Sequence, residues 1–449
     1  MQQLKISVSG VRGVAGKSLT PEIIVKFAMS FATYIEGGTV FIATDTRPSK
    51  TMVKSAVISG LLSCGCEVVD FGVCPTPVLQ YAVRKLGANG GIAITASHNN
   101  TEWNALIFIR NDGMFLNSYQ AEEVLDIYHE ESFDKVSWDK LKNVKVYTNF
   151  FNQYLSDLFK LIDIDLIKDR KFTVATDTVN GATCEYTKHL LSLLDVKVVP
   201  INDIPNGFFA RDPEPIPENL SQLSSIVKAI NADLGFAQDA DGDRLAIVDE
   251  NGNPIGEEYT LVFIENFILE KNKGIVVTNL STTQLVDDIA KKHGCEVVRT
   301  KVGDIYVAET IYNLSAVVGG EGNGGVVYPK FHYAQDSFSS MCLILWLLSH
   351  YKTSVSELKK QIGFYHKIYK KFYVQPEKTY DIILSLQENF AGFDIDFADG
   401  IKFFVNPKTW FHIRPSGTEP LIRVIGESDD KKLLDEFYKR IERIIIKQI

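Results

Sequence analysis

The segment QDADGDRLAIVDE sets Asp239, Asp241 and Asp243 at alternate positions behind the apolar run LGFA. An extended backbone there would turn alternate side chains to one side. Three carboxylates within roughly 5 Å repel by about 3 kcal/mol per pair at an effective dielectric near ~20, and a hard divalent cation relieves that repulsion. Three carboxylates also leave open positions of the kind Mg²⁺ fills with phosphate oxygens. An EF-hand opens the same way, but its glycine belongs where Arg244 stands, and no helix precedes the segment. In GGIAITASHNNTEWNA, Ser97 and His98 follow a strand-like run, where α/β folds present ligand residues. Ser97 lacks the G-x-S-x-G elbow of an acyl-transferring hydrolase. It suits a serine that carries a phosphoryl group beside a cation and basic donors.

Two further segments offer donors to a small anionic ligand. HIRPSGTEPLIR supplies the Arg414 and Arg423 guanidiniums, the Ser416 and Thr418 hydroxyls, and backbone amides freed by Gly417, a set that grips phosphate. GGEGNGGV holds Glu321 and Asn323 among five glycines, which reads as a backbone loop brought close to a polyhydroxyl ligand. Its Gly320, Gly322 and Gly325 have dinucleotide-fingerprint spacing, yet the β-rich VVYPKFHY follows where a helix is required. GVRGVAGKS fails as a Walker loop because Val11 stands where glycine is needed. Arg12 and Arg47, each read as lying in a strand-to-helix loop, are further anion candidates.

The elements that must carry these residues recur. VFIATDT, FTVATDT and GIVVTN each precede a helical stretch and then a second apolar run, the βαβ pattern of a buried, mostly parallel sheet. After about Lys370 the alternation stops: two helical stretches, YDIILSLQENF and KLLDEFYKRIERIIIKQI, flank a strand–loop–strand. The expected units are residues 1–145, 146–255, 256–367 and 368–449. The 449 residues suffice for several cores, and 45% apolar content excludes wholesale disorder. The longest apolar run, Met341 to Leu348, is too short to span a bilayer, and the N-terminus has no secretory pattern. A cytoplasmic protein without membrane association is expected. A net charge of −9 argues against nucleic acid as the main partner. Six scattered cysteines without zinc spacing read as reduced core residues.

Taken together, SGVRG, TASHN, DADGDR, GEGNGG and RPSGTEP, in that order and over almost the whole chain, resemble the α-D-phosphohexomutase family, in its phosphoglucosamine mutase and phosphomannomutase/phosphoglucomutase branch. The resemblance implies an α/β architecture of four domains around a central cleft: three related α/β domains and a smaller C-terminal α+β domain that closes over substrate. It implies Mg²⁺-dependent transfer of phosphate between the 1- and 6-hydroxyls of a hexose through a phosphoserine at Ser97, with a glucose 1,6-bisphosphate-type activator. Asp239, Asp241 and Asp243 would hold the metal with the phosphoserine oxygen. Glu321 and Asn323 would read the sugar; Arg414, Ser416, Gly417, Thr418 and Arg423 would bind phosphate; Arg12, His98, Arg244 and Lys301 would support transfer. A monomer or homodimer acting on a small hexose phosphate follows, with a metal-dependent sugar phosphatase or an impaired binding homologue as alternatives. Asn100, Ala105 and Ile107 stand where the family has proline, glycine and lysine, and Gln335 stands where arginine is common. Isoleucine cannot shuttle a proton, which leaves Lys301, His98 and His332 to compensate.

Overall fold

The computed structural model describes residues 4–7, 10–416 and 421–449. Three sheets repeat one topology. In the first, the parallel strands Glu67–Val73, Thr39–Thr44 and Gly90–Ile94 lie side by side, and Trp103–Arg110 returns antiparallel beside the third. Lys197–Ile201, Thr173–Asp177, Leu234–Gln238 and Leu245–Val248 reproduce that order and direction. Val297–Thr300, Val276–Asn279, Val318–Gly320 and Val326–Val327 do so again. The first sheet is extended to seven strands by Gly10–Val14 and Lys5–Ser7 at one edge and Val144–Val146 at the other. Because parallel strands need a crossover, each repeat spends a helix between its first and second strands: Lys50–Ser63, Cys184–Leu193 and Leu285–His293.

Local chemistry fixes several helix ends. Pro21 occupies the first turn of Pro21–Tyr34, where its missing N–H costs nothing. Asn117 and Gln120 form a reciprocal capping box on Ser118–Glu130. Asp430 accepts from Lys432 and Leu433 N–H to start Lys431–Ile446.

One apolar core cluster runs continuously from Phe41 through Phe236 and Phe338 to Leu358, so the first three units share their interior. The fourth unit has its own core, in which Phe390, Phe403, Phe411 and Ile441 pack between a five-stranded antiparallel sheet and the helices Pro376–Asn389 and Lys431–Ile446. All six cysteines are free, five of them buried. No helix among the described residues is long and apolar enough to cross a membrane.

The buried helix Glu258–Lys271 contains an ionisable exception. Glu265 is fully buried, and neither carboxyl oxygen has a hydrogen-bond partner among the described residues. Burial raises its pKa well above 4.5, with the Asp287 charge adding to the effect. Since the folded state holds the proton more tightly than the unfolded chain, this group's contribution is fully present below about pH 4.5 and declines as pH rises toward the folded value. Glu265→Met is therefore expected to raise stability at pH 8 by about 1–3 kcal/mol, the cost of an unpaired buried polar group. The gain should shrink toward pH 4.5 in urea unfolding.

Candidate active site

In each repeat the connection from the third strand to the antiparallel fourth carries one of the sequence motifs. The first holds TASHN, the second DADGDR and the third EGNGG. All three therefore leave equivalent strand ends, and they meet in series: Ser97 Oγ lies 3.1 Å from Asp239, and Leu245 N donates to Gly324 O at 3.0 Å.

Ser97 is 6% exposed and adopts φ 46°, a left-handed conformation that a non-glycine residue holds only under restraint. The restraint is visible. Ser97 N donates to Thr95 Oγ1 at 3.0 Å, and Arg47 donates to the carbonyls of Ser97, at 3.0 Å, and Asn99. Arg47 is itself fully buried, paired with Asp45, and lies over the Phe209 ring at 4.9 Å. Thr95 Oγ1 also donates to Asp45 at 2.7 Å. The side chain expected to bind an anion is thus a clamp on the serine loop. Arg12 likewise departs from expectation, since it projects from the strand Gly10–Val14 rather than from a loop. It donates to Asn99 Oδ1 at 3.2 Å.

Ser97 Oγ donates to Asp239 Oδ2 at 3.1 Å and stands 3.4 Å from His98 Nδ1. The aspartate segment is not extended. It turns at Gly242, φ 87°, so that Gly242 N and Arg244 N both donate to Asp239 Oδ1 at 3.1 Å. The turn, not strand alternation, gathers the carboxylates. Burial raises the pKa of Asp241 well above the usual range, as does the neighbouring Asp239 charge. Burial and the Asp241 and Asp239 charges act likewise on Asp243. Asp241 Oδ1 and Asp243 Oδ1 are buried without a hydrogen-bond partner among the described residues. No three His, Cys, Asp or Glu side chains among those residues form a ready-made metal shell. What fits a hard cation is the donor chemistry: crowded carboxylates with orphaned oxygens and a serine hydroxyl beside them.

Arg244 faces Glu214 at 3.4 Å. Burial holds His98 well below the usual histidine range, and the Arg244, Arg12, Arg423 and Arg47 guanidiniums lower it further, so the ring is neutral near pH 7. The charge of Arg423, from the C-terminal unit, is among those that act on His98.

Glu321 Oε1 accepts from Asn279 Nδ2 at 2.7 Å and Gly303 N at 2.9 Å; Oε2 accepts from Gln335 Nε2 at 2.9 Å and Asn323 Nδ2 at 3.2 Å. At least one of the loop's glycines answers to the protein rather than to a ligand. Gly324 has φ 90°, and a Cβ there would lie 2.5 Å from Leu245 O.

The remaining expected residues differ in their surroundings. Lys301 is exposed. His332 is buried against Asp336 at 3.0 Å in a cluster with Tyr154, as part of the core. Ile107 is buried in the apolar cluster, on a strand whose Ala105 faces Arg12. Arg414 Nε is 3.2 Å from Asp399, and Ser416 N donates to Leu421 O at 2.8 Å. Gly417 and Thr418 lie outside the described residues. Sequence reasoning passed over Asp304, whose pKa burial raises to about 6 with the Glu321 charge adding, beside Arg12 and Arg244. The stretch TKVGDIYVAE held the only signal for it.

Sequence profiles of four consecutive domains match the chain: the phosphoglucomutase/phosphomannomutase α/β/α domains I, II and III over residues 3–135, 152–252 and 256–363, and the C-terminal domain over 371–444. A Thermococcus kodakarensis protein named phosphoglucomutase/phosphomannomutase is 37% identical over 95% of both chains. A Pyrococcus abyssi protein named "probable phosphoglucosamine mutase" is 35% identical over 97% of this chain and 96% of its own. The crystal structure of a phosphoglucomutase/phosphomannomutase family protein from Burkholderia thailandensis superposes with TM-score 0.87 at 23% identity, covering 98% of this chain and 97% of that one.

Removing one member of the buried Asp45–Arg47 pair strands the other charge. Arg47→Met is expected to cost about 3–5 kcal/mol in urea unfolding, and Asp45→Asn in the same chain to recover part of that loss.

Proposed function

The chain belongs to the phosphoglucomutase/phosphomannomutase family, is an intramolecular phosphotransferase of the phosphohexomutase class, and from that premise we propose that it interconverts hexose 1- and 6-phosphates through a phosphate carried on Ser97. The observation that carries the reading is the seat of Ser97: its hydroxyl is 3.1 Å from Asp239 and 3.4 Å from His98, on a clamped left-handed turn where the three repeats meet. Phosphoryl transfer depends on alignment and charge neutralisation more than on covalent help.

In this reading Asp239, Asp241 and Asp243 hold Mg²⁺, which when bound supplies positive charge beside the transferred phosphoryl group. Arg12, Arg244 and Arg423 add guanidinium donors, and Arg414 and Ser416 with the neighbouring Gly417 and Thr418 bind the far phosphate. The neutral His98, with Nδ1 toward Ser97, takes the hydroxyl proton as the serine oxygen bonds to phosphorus and the sugar O–P bond of a sugar bisphosphate breaks, and that proton passes on to the released sugar oxygen. That role is given to His98 because its ring nitrogen is the one beside Ser97 Oγ, Ile107 has no ionisable group and His332 is held by Asp336. Glu321 and Asn323 accept and donate to sugar hydroxyls. The substrate class is that of phosphoglucosamine mutases or phosphomannomutase/phosphoglucomutases, and a 2-amino or 2-hydroxyl sugar both suit it.

The test is ³¹P NMR of the protein with Mg²⁺, a trace of glucose 1,6-bisphosphate and glucose, mannose or glucosamine 1-phosphate in turn. Appearance of the 6-phosphate without inorganic phosphate is expected, with turnover lost in Ser97→Ala. Accumulating inorganic phosphate would point to a phosphatase instead. Intact mass should also show about 80 Da on Ser97 after incubation with the bisphosphate.

For the metal loop, Mg²⁺ is expected to raise the melting temperature of the wild type. Asp241→Asn, which removes charge at nearly constant volume, should show little such rise, and should melt higher than wild type in EDTA because a buried repulsion is gone. An equal Mg²⁺ response in both proteins would remove Asp241 from the site.

A further inference from the structure

The C-terminal unit shares none of the large apolar core, and its polar contacts with the third unit gather on Asn279–Gln284, with Lys367 on Glu258 at 2.9 Å and Val302 N donating to Asp399 Oδ2 at 3.1 Å beside them. Lys402 Nζ, buried, donates to Leu280 O at 2.8 Å and lies over the Trp410 ring at 4.1 Å. His412 Nε2 meets the Asp399 carbonyl at 2.6 Å and must donate to it, which leaves Nδ1 to accept from Ser281 Oγ at 2.8 Å. Glu427 accepts from Thr283 Oγ1 at 2.5 Å, from Gln284 N at 2.7 Å and from Trp410 Nε1 at 3.0 Å. Arg299 pins the segment's own backbone through the carbonyls of Asn279, Thr282 and Thr283.

The opposite side of the same segment holds the Glu321 loop. Asn279 Nδ2 donates to Glu321, and Thr282 Oγ1 accepts from Gly322 N at 3.0 Å while donating to Asn279 Oδ1. A carboxylate has about four acceptor positions, and Glu321 already accepts from four donors among the described residues. A ligand hydroxyl that donates to Glu321 has to displace or share one of them. One of the four, Asn279, belongs to the segment on which the C-terminal unit is mounted.

We propose that Asn279–Gln284 is a coupling element: occupation of the Glu321 loop by a sugar is transmitted through it to the C-terminal unit, with Ser281 and Thr283 as positioning residues for the strands Thr409–Pro415 and Leu421–Ser428 through His412 and Glu427. The proposal rests on the assignment of Glu321 to the sugar given above. It supplies what a ligand-driven rearrangement requires, a contact that differs between the free and bound states at one end of a rigid link.

Hydrogen exchange followed by mass spectrometry, on the full chain with and without glucose 1,6-bisphosphate, separates the two ideas. In the wild type, ligand is expected to protect peptides covering 320–327 and 401–428 together. In Thr283→Val, which keeps the shape and removes the hydroxyl, protection at 320–327 should persist while that at 401–428 falls at least threefold. KM for a hexose 1-phosphate should rise about tenfold with a smaller change in kcat. Thr283→Ser, which restores the donor, should behave as wild type, and Ser281→Ala should show a weaker form of the same defect. Undiminished protection of 401–428 in Thr283→Val would overturn the coupling and leave the sugar assignment standing. Protection of 401–428 without any at 320–327 in the wild type would overturn the assignment of Glu321, and the coupling with it.

Discussion

The governing constraint is concentrated charge in a buried site. Asp239, Asp241 and Asp243 crowd on one turn, and Asp304 and Glu321 add to the same field. The Arg12, Arg47, Arg244 and Arg423 charges act on the same region, adding to the burial that holds His98 well below the usual histidine range. Neither set is comfortable alone. Buried carboxylates without partners raise one another's pKa, and buried guanidiniums need acceptors. Much of the surrounding structure serves to hold both sets still: Arg47 is neutralised by Asp45, Arg244 meets Glu214, and Glu321 is surrounded by amides.

The threefold repeat is the device that makes such crowding affordable. In each repeat the strand order brings the loop after the first strand beside the loop that follows the third. The pairing is used the same way each time. Asp45 and Arg47 restrain the serine loop. Asp177, the last residue of the first strand of the second repeat, holds Arg211 at 2.9 Å, and Arg211 donates to Gln238 O at 2.7 Å just before the aspartates. Asn279, in the third, holds Glu321. Supporting loops at equivalent places therefore carry polar residues whose work is to fix a neighbour rather than to meet a ligand. The shared apolar core beneath keeps the three mouths in register.

That division of labour explains what the sequence could and could not disclose. Period and strand-like runs locate the repeats, because βαβ units are set by local pattern, and strands such as Thr173–Asp177 and Val276–Asn279 stand within two residues of where the pattern puts them. The aspartates were legible as a group, but for an insufficient reason, since Gly242 turns the chain there and no strand periodicity applies. Arg47 reads as an anion donor because an arginine near a strand end looks the same whether its partner is a ligand or Asp45, and only tertiary burial decides. His332 is misread for the same cause: its partner Asp336 is four residues away, yet its removal from the cleft depends on Tyr154 and Phe331 packing around it. Lys402, His412 and Glu427 carry no local signal at all. On alternating strands they look like ordinary solvent-facing residues, and what buries them is the third unit.

The mounting of the C-terminal unit follows from the same physics. An apolar interface of comparable size would hold that unit in one place, because dispersion contacts are non-directional and give way only together. Hydrogen bonds gathered mainly on one pinned segment, with the Lys367–Glu258 and Val302–Asp399 contacts beside it, are directional, individually worth about 1 kcal/mol, and exchangeable for water or for other donors. The polar choice comes at the expense of rigidity: Lys402 is buried with its Nζ facing a carbonyl and an aromatic ring, and burial pulls its pKa well below the usual range. A unit meant to be immobile would gain by replacing such a lysine with an apolar side chain. Its presence, with His412 and Glu427 beside it, is better matched to an attachment whose strength depends on how the segment beneath it is engaged on its other face.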